Sequence, residues 1–240
     1  MNALLRPLKQ SLTLVGARSS GRTLHGLELA LNYVKLGRWM REHGFEFPQR
    51  VRDGRGVFAC VAERVRDEQV LYLEFGVWRG ASMRYWSEAL RHPESKLHGF
   101  DSFEGLPEDF DPAGGLVKGH FSTGGAPPSF DDPRVTFHKG WFQETLPGFE
   151  LPDHCVLVVN IDADLYSSTI CVLRQLAPHF RPGTFVYFDD LSHLDHEARA
   201  FDEFMRETGL EFRGVCADRT LNTAFFECVG HEAPTSPATT

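Results

Sequence analysis

Two hydrophobic periodicities divide the chain. From about Leu27 to Val65 apolar positions recur at helical spacing. Leu27, Leu31, Val34 and Leu36 are expected on one helix face, and VFACVAERV reads as a second helix. After Asp67 short apolar runs alternate with helical stretches. VLYLEFG reads as a strand and ASMRYWSEALRH as a helix, followed by the strands KLHGFD and RVTFHKG. CVLVVNID is a strand leading into the helix STICVLRQLAPHF, and GTFVYFDD is a strand leading into the helix HEARAFDEFMRETG. EFRGVCAD and NTAFFECV close the chain as two strands with a short connection. Strands alternating with helices predict a parallel sheet covered on both faces. The closing pair, as a hairpin, places one antiparallel strand in it.

Between the second and third strands lies SFEGLPEDFDPAGGLVKGHFSTGGAPPSFDDP, rich in Gly, Pro and Asp. A loop this long inside a compact domain is usually functional, so a lid is expected over a disordered insertion. Phe103, Leu106, Phe110 and Phe121 give it something to bury. The first 26 residues carry Arg6, Lys9, Arg18 and Arg22 and no acid. That composition suits either a transit peptide or an amphipathic arm packed on the domain or on a partner subunit. No small-residue cleavage site is evident, which favours the arm. The expected divisions are a helical arm over 1–66, an α/β domain over 67–230 and a disordered tail over 231–240.

With 240 residues and 42% hydrophobic content, the chain can bury the core of one α/β domain. A formal net charge of −8 repels phosphate backbones and argues against a nucleic-acid partner. No stretch is long and apolar enough to cross a membrane. The five cysteines are scattered, odd in number and without a C-x-x-C pair, so reduced core thiols of a cytoplasmic protein are expected.

In a parallel α/β sheet, ligands bind beyond the carboxyl ends of the strands. After the first strand comes EFGVWRGAS, with Glu74, Gly76 and Gly80. Val77 and Trp78 break the G-x-G-x-x-G dinucleotide fingerprint. The spacing is instead E-x-G-x-x-x-G, a form common for S-adenosylmethionine, which has no pyrophosphate to cradle. After the second strand, Asp101 is placed to accept hydrogen bonds from both hydroxyls of a ribose, a contact that nicotinamide cofactors need too. After the third come Lys139, Gly140, Trp141 and Phe142, where either aromatic can stack on an adenine or fill the core.

The fourth strand ends in Asp162-Ala163-Asp164 and the fifth in Asp189-Asp190. These ends should be neighbours, bringing up to four carboxylates to one rim. Like charges so close repel unless protonated or joined by a cation, and oxygen-only donors suit Mg²⁺ or Ca²⁺. His193 and His196 follow, each able to take a proton at the same rim, with Asp195 the better cap for the next helix.

Taken in order, YLEFGVWRGASMRYW, GFDSFEGLPEDF, VTFHKGWFQETLP, VNIDADLYSST and FVYFDDL resemble the macrocin O-methyltransferase family over about Leu71 to Gly209. The resemblance implies a class I methyltransferase fold: a Rossmann-like, seven-stranded, mostly parallel sheet with one antiparallel strand, helices on both faces and an N-terminal helical arm. It implies transfer of a methyl group from S-adenosylmethionine, with Mg²⁺, to a hydroxyl of a sugar or glycosylated natural product, and a homodimer is the family's expected assembly. By the same resemblance Asp162, Asp189 and Asp190 hold the metal. Asp164 is the candidate base, with His193 its rival and Asp162 beside it. Glu74, Gly76, Gly80, Ser82, Asp101, Ser102, Gly140, Trp141 and Asp162 fall on the cofactor side. The family pattern Asp-Gly-Asp departs here only at Ala163.

Catechol-type methyltransferases, a related Mg²⁺-dependent class, carry a lysine three residues after the first aspartate. Here that position is Leu165, which argues for a sugar over a phenolic acceptor. An NAD-linked sugar oxidoreductase, the other alternative, should show G-x-G-x-x-G and a Tyr-x-x-x-Lys pair, and neither is present.

Overall fold

The computed structural model describes residues 5–112 and 114–231. The expected tail therefore lies outside the described residues, apart from His231, which closes the last strand. Two helices open the chain, α1 (Leu5–Gly16) and α2 (Gly21–Glu42). Then follow β1 (Gln49–Val51), α3 (Gly54–Val65), β2 (Val70–Phe75), α4 (Ala81–Ala89), β3 (Lys96–Asp101) and β4 (Val135–Lys139). After these come α5 (Phe142–Thr145), β5 (Val156–Ile161), α6 (Tyr166–Leu176), β6 (Phe185–Phe188), α7 (Glu197–Thr208), β7 (Leu210–Asp218) and β8 (Ala224–His231).

The sheet runs β1-β7-β8-β6-β5-β2-β3-β4. β8 is antiparallel to both its neighbours and every other pairing is parallel. All six residues of β2 are buried, as a strand covered on both faces requires. Leu71, Leu73 and Phe75 pack with α6 and α7 on one face, and Val70 and Tyr72 with α3 and α4 on the other. Two-residue alternation inside a uniformly apolar run thus feeds two separate cores.

The sheet has eight strands where seven were expected. The addition is β1, paired parallel with the end of β7 from Gln49↔Cys216 to Val51↔Asp218. Three residues are too few to show a period. Its neighbour α3, capped by the Asp53 carboxylate accepting from Gly56 N–H at 3.0 Å, buries Val57, Val61 and Val65 against the sheet. Residues 49–65 therefore belong to the sheet's core. The apolar face expected on α2 is also not buried. Leu36 is fully buried beside Trp39 and Met40, but Leu27, Leu31 and Val34 stand exposed. The C-terminal third of α2 packs on the core, and nearer its start His25 comes within 3.8 Å of the Asp111 carboxylate in the long loop.

The cysteines depart from expectation as well. Cys60 of α3 and Cys216 of β7 are joined in a disulfide, while Cys155, Cys171 and Cys228 are free. α3 crosses β7 with the two Cα atoms 6.5 Å apart, within the usual range for such a bond. No spacing in the sequence signals it, because 156 residues separate the pair. Titrating denatured protein with a thiol reagent should count three thiols before reduction and all five after it. Five without reductant would remove the bond.

Candidate active site

β2 to β6 all present their carboxyl ends to one edge, where a cavity of about 520 Å³ opens. That volume suits a small-molecule ligand. Gly76 ends β2 with φ +93°, and a Cβ there would lie 1.8 Å from the Asp162 carbonyl oxygen. The glycine is thus required by the approach of the loop after β5. Asp101, at the end of β3, fixes the same turn. One carboxylate oxygen accepts from Val77 and Trp78 N–H, each at 2.8 Å, and the other from Phe103 N–H at 2.7 Å.

Of the residues expected on the cofactor side, Gly76, Asp101, Ser102, Gly140, Trp141 and Asp162 line this cavity. Glu74, Gly80 and Ser82 do not. Glu74 is wholly buried, accepting from Ser82 Oγ at 2.6 Å and from Tyr72 OH at 2.8 Å, while Asn160 Nδ2 donates to that Tyr72 oxygen at 2.8 Å. Burial pushes the Glu74 carboxyl up to about 8. Gly80 opens α4 beneath Pro128 and Phe130.

Asp162 and Asp164 line the same cavity. Asp164 has φ +58°, a left-handed conformation that costs a non-glycine residue about 1 kcal/mol or more. It is nearly buried, and burial first and then Asp190 raise its carboxyl to about 8. Asp162 is raised well above its ordinary value by burial, then by Asp189 and Asp164. Asp189 is raised to about 6 by burial, moderated by Tyr187 OH, which donates to it at 2.5 Å. Asn222 Nδ2 donates to the Asp189 carbonyl at 3.0 Å and braces the same turn. The structure thus brings the two aspartate pairs together, with no lysine or arginine in ion-pair contact with any of them among the described residues. The charge and oxygen chemistry fit a hard divalent cation. The arrangement is nonetheless not a finished cage, since among the described residues no three acidic, His or Cys side chains group closely enough to hold an ion.

His193 sits apart. It lines a separate hollow of about 140 Å³ with His25 and Asn32 of α2, its ring 4.9 Å from Phe110. His196 occupies the N-cap of α7 where Asp195 was expected, without a side-chain capping bond. The long loop folds over the cavity. Leu106 and Phe110 bury against Leu165, Phe121 meets Trp78 edge-on at 5.5 Å, and Ser167 Oγ donates to Glu108 at 2.7 Å. Leu165, where the catechol-type class has a lysine, is therefore the loop's apolar anchor. Tyr187, Asn222 and Glu197, which brace the acidic rim, carried no sequence signal. Each is an ordinary strand, turn or helix residue until the chain folds.

The raised carboxyls fix a pH dependence of stability. The folded state keeps protons on Asp164 and Glu74 up to about 8, whereas the unfolded chain releases them near 4. The folded state binds more protons across that interval, so stability falls as pH rises. Buried His98, lowered to about 4 by burial and by His138, acts oppositely below the ordinary histidine range, so the clean window is about pH 7 to 8.5. In chelator, the melting temperature should drop over that window by on the order of 5 °C. A flat or rising scan would contradict the buried acids.

Residues 73–191 match the model of a family described as a methyltransferase domain. The 8-demethyl-8-(2,3-dimethoxy-alpha-L-rhamnosyl)-tetracenomycin-C 4'-O-methyltransferase of Streptomyces olivaceus is 34% identical over 136 residues, 49% of this chain and 51% of that protein. The mycinamicin III 3''-O-methyltransferase of Micromonospora griseorubida is 29% identical over 156 residues, 55% of this chain and 59% of that protein. The chain thus spans between half and three-fifths of these relatives' length. The solved structure of the O-methyltransferase NovP shares the fold at TM-score 0.52 and 23% identity, covering 72% of this chain and 76% of that one.

Proposed function

We propose that this chain, whose residues 73–191 form a methyltransferase domain, transfers a methyl group from S-adenosylmethionine to a hydroxyl of a sugar or glycosylated natural product. The observation that carries the reading is that Asp101, Trp141, Asp162 and Asp164 all line one cavity. The two relatives support a sugar acceptor, since one is a rhamnosyl-tetracenomycin 4'-O-methyltransferase and the other a mycinamicin III 3''-O-methyltransferase.

When bound, S-adenosylmethionine supplies an activated methyl group, and Mg²⁺ would supply a Lewis acid that lowers the acceptor hydroxyl's pKa. Asp162, Asp189 and Asp190 would be the residues to hold the cation, but they would have to draw closer around it, since as they stand no three such side chains group closely enough among the described residues. Asp101 keeps acceptor capacity beyond its three backbone bonds for the ribose hydroxyls. Trp141 offers an aromatic wall for the adenine. Asp164 would take the acceptor's proton once ionised, a state that a neighbouring cation would favour over the protonated form its burial imposes without one. Asp164 is favoured over His193 because it lines the cavity and the histidine does not. The loop anchored on Leu165 excludes water, and holding both reactants in line accounts for much of the rate.

Asp164→Asn should lower kcat by about 10²- to 10⁴-fold while leaving S-adenosylhomocysteine affinity by calorimetry close to wild type. Asp189→Asn should weaken Mg²⁺ dependence and turnover in the same way. Wild-type protein that binds neither S-adenosylmethionine nor S-adenosylhomocysteine would end this reading. Full turnover by Asp189→Asn would end the metal assignment alone.

The arm supports a homodimer. Leu8, Leu12, Leu14 and Val15 of α1 and Leu27, Leu31 and Val34 of α2 are exposed apolar side chains of the kind that mark interfaces. Light scattering should give about twice the chain mass of 27.1 kDa. A monomer that persists at micromolar concentration would rule the dimer out.

A further inference from the structure

Beneath the acidic rim lies one more carboxylate. Glu197, in the first turn of α7, is wholly buried and does not line the cavity. None of the ion pairs among the described residues involves it. Four aspartates surround this acid, which makes it an expensive residue to bury without a specific task. Its two oxygens accept from two different strand-end loops. Oε2 accepts Asp190 N–H at 2.9 Å, and Oε1 accepts the longer bond from Ala163 N–H at 3.4 Å. One rigid side chain therefore spans the backbone between Asp162 and Asp164 and the backbone of Asp190.

We propose that Glu197 is a positioning residue that sets the separation of the Asp162–Asp164 loop from the Asp189–Asp190 turn, and so the placement of the reacting carboxylates. The proposal rests on reading that rim as the reacting site. The Asp189 N–H to Ile161 carbonyl bond at 3.1 Å joins the two strand ends below the loops, and Glu197 extends the link to Ala163 and Asp190. Tyr187 and Asn222 each touch the Asp189–Asp190 side, and neither bonds the loop after β5. α7 in turn is held by Ala198, Phe201 and Phe204 in the core, so the carboxylate is delivered from a fixed helix.

Glu197→Gln tests the idea with nearly unchanged volume. Glutamine keeps one acceptor oxygen and turns an NH₂ toward the other backbone N–H. Hydrogen exchange should become about tenfold faster in peptides covering 162–165 and 189–192, with β2 and β3 unchanged. Turnover should fall about tenfold or more while S-adenosylhomocysteine affinity stays within about twofold. Glu197→Asp, one methylene short but still a carboxyl group, serves if the glutamine variant does not fold, and should show the same pattern. Unchanged exchange in both segments, or wild-type kcat, overturns the proposal. Protection lost across the whole sheet also overturns it, by reducing Glu197 to a general structural residue. If the wild type neither binds the cofactor nor turns over, the methyl-transfer reading falls, while the exchange data still decide whether Glu197 ties the two loops.

Discussion

Repulsion among carboxylates at the ends of β5 and β6 is the constraint around which this site is organised. Asp162, Asp164, Asp189 and Asp190 converge, Glu197 lies under them, and no cationic side chain pairs with them among the described residues. In isolation such a cluster opposes folding. It is tolerated because the surrounding scaffold is rigid. Tyr187, Asn222 and Glu197 each contribute a hydrogen bond to the loops, and β5 and β6 are buried in the middle of an eight-stranded sheet. Concentrated negative charge without an internal partner is what a cation or a proton-accepting role calls for.

The opposite half of the cavity is built from backbone economy. Asp101 spends both oxygens on three N–H groups and so locks the glycine turn to the start of the long loop. Gly76 lets the loop after β5 come within contact of that turn. The two halves of the site are therefore in register through main-chain contacts rather than through long flexible side chains. The long loop closes the arrangement by placing Leu106 and Phe110 on Leu165, next to Asp164. That apolar contact covers the site beside the left-handed Asp164 backbone.

Much of this was legible in the sequence because it depends on local pattern. Apolar runs ending in Gly or Asp marked β2 to β6, and the acids after them marked the functional edge. β1 was not legible, because a three-residue strand shows no periodicity and exists only through β7. Whether the apolar face of α2 is covered was not legible either, because helical spacing reports amphipathicity and not whether a partner surface is present. The roles of Glu74 and Ser82 also shifted. Strand-end position suggested ligand contact, but their side chains face the α4 side and bond each other.

The sequence by itself determined seven of the eight strands and that acidic residues follow two of them, because strand periodicity and residue chemistry are properties of short segments. Only the tertiary structure decided which of those residues share a cavity. It set His193 in a different hollow from Asp164, joined Cys60 to Cys216 across 156 residues, and turned Glu197 from a helix-start acid into the link between two loops. Each of these depends on which elements pack against one another, and that is fixed by the burial of the two cores rather than by any local pattern.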